Sequence, residues 1–250
     1  MTVAFKDHFS QVSEHYAEHR PRYPSALFDW LAAQCAEHEL AWDCATGNGQ
    51  AATELGRVFQ RVIATDASAA QIAQAVAHPR VFYQVTSAAT SDIDTGSVDL
   101  ISVAQALHWF DLPRFYAEAM RVLKPEGRIA IWSYGLHSLS HRALDACIDR
   151  FYRDRLGAYW PAERRHVETG YRDLAFPFTA IHAPTFVMQM RWTLDQLLGY
   201  LRSWSASGRY QAATGIDPVS ELEPELRALW GDAAAPRSIT WPLLLRFGRR

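Results

Sequence analysis

The chain has 250 residues, 49% of them hydrophobic and 12% aromatic, with a formal net charge of −2 at pH 7. That length and apolar content suit a folded chain with a full core and exclude a disordered one. The near-neutral balance gives no general drive toward nucleic acid or an anionic membrane, and no apolar run approaches the roughly 18 residues needed to cross a bilayer.

In chain order, Tyr23-Pro-Ser-Ala-Leu-Phe-Asp-Trp-Leu begins a helix with Ser25 as its expected cap. From Leu40 to Trp132, strand-like and helix-like runs alternate over short connections, which predicts parallel βαβ units. The expected strands are 40–45, 61–65, 81–85, 98–104 and 128–132. Ser68-Ala-Ala-Gln71 has capping-box spacing and predicts a helix to about Ala77, ended by Pro79. Asp111, with Pro113 in the first turn, caps a helix that ends at Lys124-Pro-Glu-Gly127. Beyond Trp132 the rhythm changes. Residues 138–156 are helix-like, with Leu144, Cys147, Ile148 and Phe151 on one face. Residues 184–192 alternate as a strand, and Thr193-Leu-Asp-Gln196 opens a helix through about Trp204. Residues 239–247 read as a closing strand whose Pro242 argues for an irregular or edge position.

The chemistry-bearing stretch is Trp42-Asp-Cys-Ala-Thr-Gly-Asn-Gly-Gln50, with Asp66 ending the next apolar run. A strand ending in an acid, a glycine turn, a helix start and a second strand ending in an acid form the layout of an open α/β nucleotide site. The glycines alone also fit a dinucleotide site or an ordinary strand-to-helix turn. Asp43 discriminates: a carboxylate at the mouth of the first strand repels a pyrophosphate but attracts a ligand bearing an ammonium and a sulfonium. S-adenosylmethionine is such a ligand. Asp66 is expected on a ribose hydroxyl, because Ser68 serves better as the helix cap. The strand at 98–104 carries Gln105, His108 and Trp109 to the same edge; the plain alternative for the last two is corner packing.

These motifs resemble those of class I S-adenosylmethionine-dependent methyltransferases, in the small-molecule branch that includes trans-aconitate methyltransferase-like proteins. The likeness rests on Asp43-Cys-Ala-Thr-Gly-Asn-Gly49, Ala64-Thr-Asp-Ala-Ser68, Ser97-Val-Asp-Leu100 with Ala104-Gln-Ala-Leu-His-Trp-Phe110, Arg121-Val-Leu-Lys-Pro-Glu-Gly127, and the N-terminal His15-Tyr-Ala-Glu-His-Arg-Pro-Arg-Tyr-Pro24. It implies an α/β, Rossmann-like fold: a seven-stranded, mostly parallel sheet with an antiparallel last strand, helices on both faces and a helical cap insertion. One domain over 1–250 is expected, divided into a lid and first helix (1–39), a donor-binding core (40–134), a cap (135–183) and a terminal strand pair with a helix (184–250). Asp43, Ala45, Gly47 and Gly49 would surround the methionine part of the donor. Asp66 would hold the ribose, Ala67 would flank the adenine, and Ala88 would offer it a backbone amide. Ala104 and Gln105 would lie beneath the transferable methyl, with Tyr16 and Arg20 as lid residues and Arg20 on the donor carboxylate. The family often has a glycine where this chain has Cys44 or Ala45. It also commonly places an acid beside the adenine amine. Here Thr86-Ser-Ala-Ala-Thr90 leaves that bond to Ser87, Asp92 or water.

His108 and Gln105 are the candidate catalytic residues. His108 would act as a general base if the acceptor needs one, since a free imidazole titrates near pH 6.5. The cap carries Arg150, Arg153, Arg155, Arg164, Arg165 and His166 among Phe151, Tyr152, Tyr159 and Trp160. That composition suits a small acidic or aromatic acceptor; interleaved Asp149, Asp154 and Glu163 suggest instead a solvated face. Trp192, Tyr200, Trp204 and Tyr210 read as core. The expected activity is methyl transfer to a small molecule, against a non-catalytic donor-binding protein or a nicotinamide-dependent oxidoreductase. With three cysteines in no paired or zinc-type spacing and no secretory segment at the N-terminus, a cytoplasmic setting without a metal is expected. No nucleic-acid or membrane partner is expected.

Overall fold

The computed structural model describes residues 21–250. The first half alternates strictly: α1 (Ser25–Ala33), β1 (Leu40–Cys44), α2 (Gln50–Val58), β2 (Arg61–Asp66), α3 (Ala69–Ala73), β3 (Val81–Val85), β4 (Val98–Ala104), α4 (Leu112–Val122) and β5 (Leu123–Tyr134). There follow α5 (Arg142–Arg150), α6 (Arg164–Glu168), β6 (Thr179–Ile181), β7 (Val187–Trp192), α7 (Leu194–Arg202), α8 (Ser205–Thr214), α9 (Pro218–Trp230) and β8 (Arg237–Arg249). The strands form one sheet in the order β3-β2-β1-β4-β5-β8-β6, with β7 added alongside β8. β1 to β5 are parallel. β8 runs antiparallel to β5, β6 and β7.

β1 and β4 are buried nearly throughout, as central strands covered on both faces must be. Alternate residues of β5 feed opposite layers. Trp132 packs with Leu27, Phe28 and Trp241, whereas Ile131 packs with Trp42, Ile101 and Phe115. Trp42 also ties β1 to its neighbour, its indole donating to Thr65 Oγ1 at 2.9 Å. The strand order reverses direction at β1, between β2 and β4. Open α/β sheets take their ligands beyond the carboxyl ends of the strands at that point.

Several local expectations are corrected. Pro24, not Ser25, holds the cap position of α1; its φ of −71° presets the entry, and no side-chain bond is made. α3 stops at Ala73 rather than near Ala77, because the Val76 N–H is drawn to the Asn48 carbonyl at 3.1 Å. β5 begins at Leu123, directly after α4, and a register shift against β4 absorbs the abrupt change. There is an eighth strand, β6, whose three residues pair with the far end of β8. Pro242 does take the irregular position expected of it. It marks the place where β8 passes from β5 (Leu243 opposite Tyr134) to β7 (Pro242 opposite Val187). α5 buries Leu144, Cys147 and Ile148 and widens into a π-turn over Phe151–Arg155. No helix among the described residues is long and apolar enough to cross a membrane.

Candidate active site

The loop leaving β1 turns through three residues of positive φ: Ala45 at 58°, Gly47 at 58° and Gly49 at 88°. Glycine adopts this conformation freely, whereas alanine pays about 1–2 kcal/mol. At Gly49 a Cβ would stand 2.1 Å from the Tyr83 hydroxyl, so any side chain there would have to displace that ring. At Gly47 the nearest atom to such a Cβ is Gln71 Oε1 at 3.7 Å, so the backbone there is open to close approach.

Asp43 is 1% exposed. Its Oδ1 accepts from the Ser102 hydroxyl and its Oδ2 from the Thr46 hydroxyl, both at 2.5 Å. Burial pushes its carboxyl up to about 6, against the opposing pull of those hydroxyls. The expectation of an open anionic floor is therefore corrected: the carboxylate is buried and bonded to Ser102 of β4 on one side and to Thr46 of the loop on the other. Asp66 is likewise engaged, Oδ2 accepting from Gly47 N–H at 2.9 Å and Oδ1 from Ser68 N–H at 2.8 Å. It clamps the β1 loop to the β2 loop. Ser68 does cap α3, accepting from Gln71 N–H at 3.4 Å.

Ala67 follows Asp66 and is half-buried, as is Ala88 in the turn after β3. Ser87 and Thr90 pair their hydroxyls at 3.3 Å across that turn, and Asp92 lies exposed beyond it. Ala104 ends β4. Gln105 adopts a φ of 57°, and its side chain turns toward β5, donating to the Tyr134 carbonyl at 3.0 Å. Tyr16 and Arg20 lie outside the described residues.

His108 sits in the turn after Gln105, with Nδ1 3.1 Å from the Tyr171 hydroxyl. Burial, reinforced by the charges of Arg164 and His166, pushes its pKa down to about 3. The expectation of a base titrating near 6.5 is corrected, because the imidazole stays neutral throughout the physiological range. Tyr171 was not singled out from the sequence. It is fully buried, holds a φ of 60° and follows Gly170 at 63°. The Gly170-Tyr171 pair is the only local signal of that turn.

The basic residues of the cap divide. Arg150 pairs with Glu225, Arg153 with Asp149 at 2.7 Å, Arg155 with Glu221 at 3.0 Å and His166 with Asp173 at 2.6 Å. Arg164 instead lies over Trp160 at 4.8 Å and Tyr152 at 5.7 Å. Trp192, Tyr200, Trp204 and Tyr210 are buried in the core that joins the cap to the C-terminal helices.

The fold and the loop define an S-adenosylmethionine-dependent methyltransferase of class I, and comparison with known proteins agrees. A methyltransferase-domain family matches residues 42–131. A protein of Dictyostelium discoideum named as a methyltransferase is 34% identical over 226 residues, 89% of this chain and 86% of that relative. A solved structure from Anaeromyxobacter dehalogenans, named as a type II methyltransferase, is 46% identical with a TM-score of 0.87, covering 92% of this chain and 97% of that one. A structure from Anabaena variabilis named as a methyltransferase from an antibiotic biosynthesis pathway shares the fold alone, at 16% identity and a TM-score of 0.54 over 89% of this chain and 98% of that one. The chain belongs to the methyltransferase family, and its methyl donor is S-adenosylmethionine. The open backbone at Gly47, backed by the buried carboxylate of Asp43, fits a donor that brings positive charge.

Proposed function

We propose that this chain methylates a small-molecule acceptor on oxygen, and that the acceptor is a carboxylate or another acid, as in the trans-aconitate methyltransferase-like branch. The observation that supports this best is the neutral His108 beside Tyr171 at the sheet edge that carries the glycine loop. A carboxylate is already ionised at neutral pH and needs no base to become a nucleophile. A site in which His108 is held neutral suits such an acceptor better than an amine held protonated.

In this reading the backbone from Asp43 to Gly49 wraps the methionine part of the donor. Asp66 receives the ribose hydroxyls, and Ala67 and Ala88 border the adenine. Bound S-adenosylmethionine supplies a methyl carbon already activated by a positively charged sulfur. The protein's work is then to align the acceptor oxygen with that carbon and to exclude water. Ala104 and Gln105 form the floor at that point, with Gln105 fixed by its bond to β5. His108 orients the acceptor by hydrogen bonding and carries no proton away.

Incubation with methyl-labelled donor and a panel of carboxylic acids, phenols and amines tests this. Label should appear as a base-labile methyl ester of an acid. Label confined to amines, or to protein or nucleic acid, contradicts it. His108→Ala should lower turnover by less than about tenfold, and a loss beyond about a hundredfold would restore base catalysis.

A further inference from the structure

Arg164 opens α6, which packs over the end of β5: the Ser133 hydroxyl donates to the Val167 carbonyl at 2.9 Å. The turn after α6 delivers Tyr171 to His108. Arg164 therefore stands on the element that roofs the carboxyl edge. Three neighbouring arginines of the cap, Arg150, Arg153 and Arg155, are paired with the carboxylates described above. Among the described residues, no carboxylate lies within ion-pair distance of Arg164. Only its Nε is engaged, donating to the Tyr152 hydroxyl at 2.9 Å. That hydroxyl in turn donates to Glu168 Oε1 at 2.5 Å, so an acid is near but separated from the guanidinium by the phenol.

The guanidinium plane is held by two rings, Trp160 and Tyr152, and by the Nε bond, while both terminal amino groups remain uncommitted among the described residues. A planar fork held in this way loses little freedom when it takes a carboxylate through two parallel bonds. The charge of Arg164 is also felt at the reaction edge, where it helps keep His108 unprotonated.

We infer that Arg164 is a specificity-determining residue of the acceptor site, binding one carboxylate of the acceptor with its two terminal amino groups while Trp160 and Tyr152 hold the fork in place. The inference deepens the methyl-transfer reading above and rests on it. The Arg164 guanidinium, stacked on the two rings and without a carboxylate partner among the described residues, matches one anionic charge. The group it selects is thus a carboxylate carried on a small molecule, and the corresponding neutral amide is rejected.

The test uses three acid and amide pairs, benzoate with benzamide, cinnamate with cinnamamide, and succinate with succinamide. Binding to the full chain is followed by tryptophan fluorescence, with and without S-adenosylhomocysteine. At least one acid should bind about tenfold or more tightly than its amide. Arg164→Gln should reduce that preference below about twofold, Arg164→Lys should keep part of it, and Arg165→Gln, at an exposed neighbour, should leave it intact. Affinity for S-adenosylhomocysteine, measured by calorimetry, should be unchanged in all three variants. The inference is overturned if no acid outbinds its amide in the wild type, or if the preference survives Arg164→Gln. Equal loss in Arg165→Gln also overturns it. Should Arg164→Gln fail to fold, the wild-type comparison and Arg164→Lys still decide. Failure of S-adenosylhomocysteine to bind the wild type would strike the donor site instead, since the acid preference is scored separately without it.

Discussion

Two buried aspartates, at opposite ends of the neighbouring strands β1 and β4, are treated very differently by the fold. At the amino end, Asp99 accepts from the backbone N–H groups of Glu39 and Leu40, each at 2.9 Å, and pairs with Lys124 at 2.8 Å. At the carboxyl end, Asp43 is met by the Ser102 and Thr46 hydroxyls and the Ala52 backbone N–H, and no cation pairs with it among the described residues. Backbone strain divides the same way: Ala45, Gln105 and Tyr171 hold positive φ at or near the carboxyl edge. A charge fully compensated by amides and an ammonium secures structure. A charge left without a counterion, beside strained backbone, is tolerated where a ligand completes it.

The comparison can be broken most severely at Asp99. Asp99→Ala removes the acceptor of two buried amides and the partner of Lys124, and should cost about 3 kcal/mol in urea unfolding. Affinity for S-adenosylhomocysteine should be untouched.

Asp43→Asn should act in the opposite sense. The folded carboxyl is raised from 3.8 to about 6, so the stability it contributes is full below pH 3.8 and lost as pH rises through 6. By that shift the ionised group costs the folded protein up to about 3 kcal/mol above pH 6. Asp43→Asn should therefore be more stable than wild type at pH 8, with a flatter pH dependence, yet bind donor about tenfold or more weakly. Unfolding curves at pH 5 and 8 check the first half.

His137 sharpens the contrast at a third place. It lies against Tyr200, Trp204 and Trp241, with neither ring nitrogen hydrogen-bonded among the described residues. Burial pushes its pKa down to about 4. Here the sign reverses: the neutral ring's contribution is full above pH 6.5 and is lost as pH falls toward 4. His137→Phe should gain about 1–2 kcal/mol at pH 7 and blunt acid unfolding, as thermal melts at pH 7 and 4.5 would show. The smallest effect belongs to Ala45→Gly, which relieves the positive φ but frees the unfolded chain, for a net gain of about 0.5 kcal/mol.

The parallel core and the ligand edge were legible because they rest on local signals: apolar runs for buried strands, glycines for the turn, and capping residues such as Asp111, which bonds Arg114 N–H as expected. What escaped depends on register and distance. That Asp43 faces Ser102, 59 residues away, follows only once β1 and β4 are aligned. Yet a serine within the apolar run Val98-Asp-Leu-Ile-Ser-Val-Ala104 needed some such partner. The neutrality of His108 depends on burial that composition does not reveal, and on Arg164 and His166 far along the chain. β6 is too short and too exposed to show an alternating pattern. The division of the cap's basic residues was hidden because Arg150 and Arg155 find their acids on α9.

Calorimetric titration of wild type and Asp43→Asn with S-adenosylhomocysteine at pH 8 and pH 5 tests the central claim most directly. Tight binding by the wild type at pH 8, weaker binding at pH 5 as the carboxyl takes up its proton, and weak binding by the variant at both values is the expected result. Equal affinities for the two proteins at both pH values would contradict it.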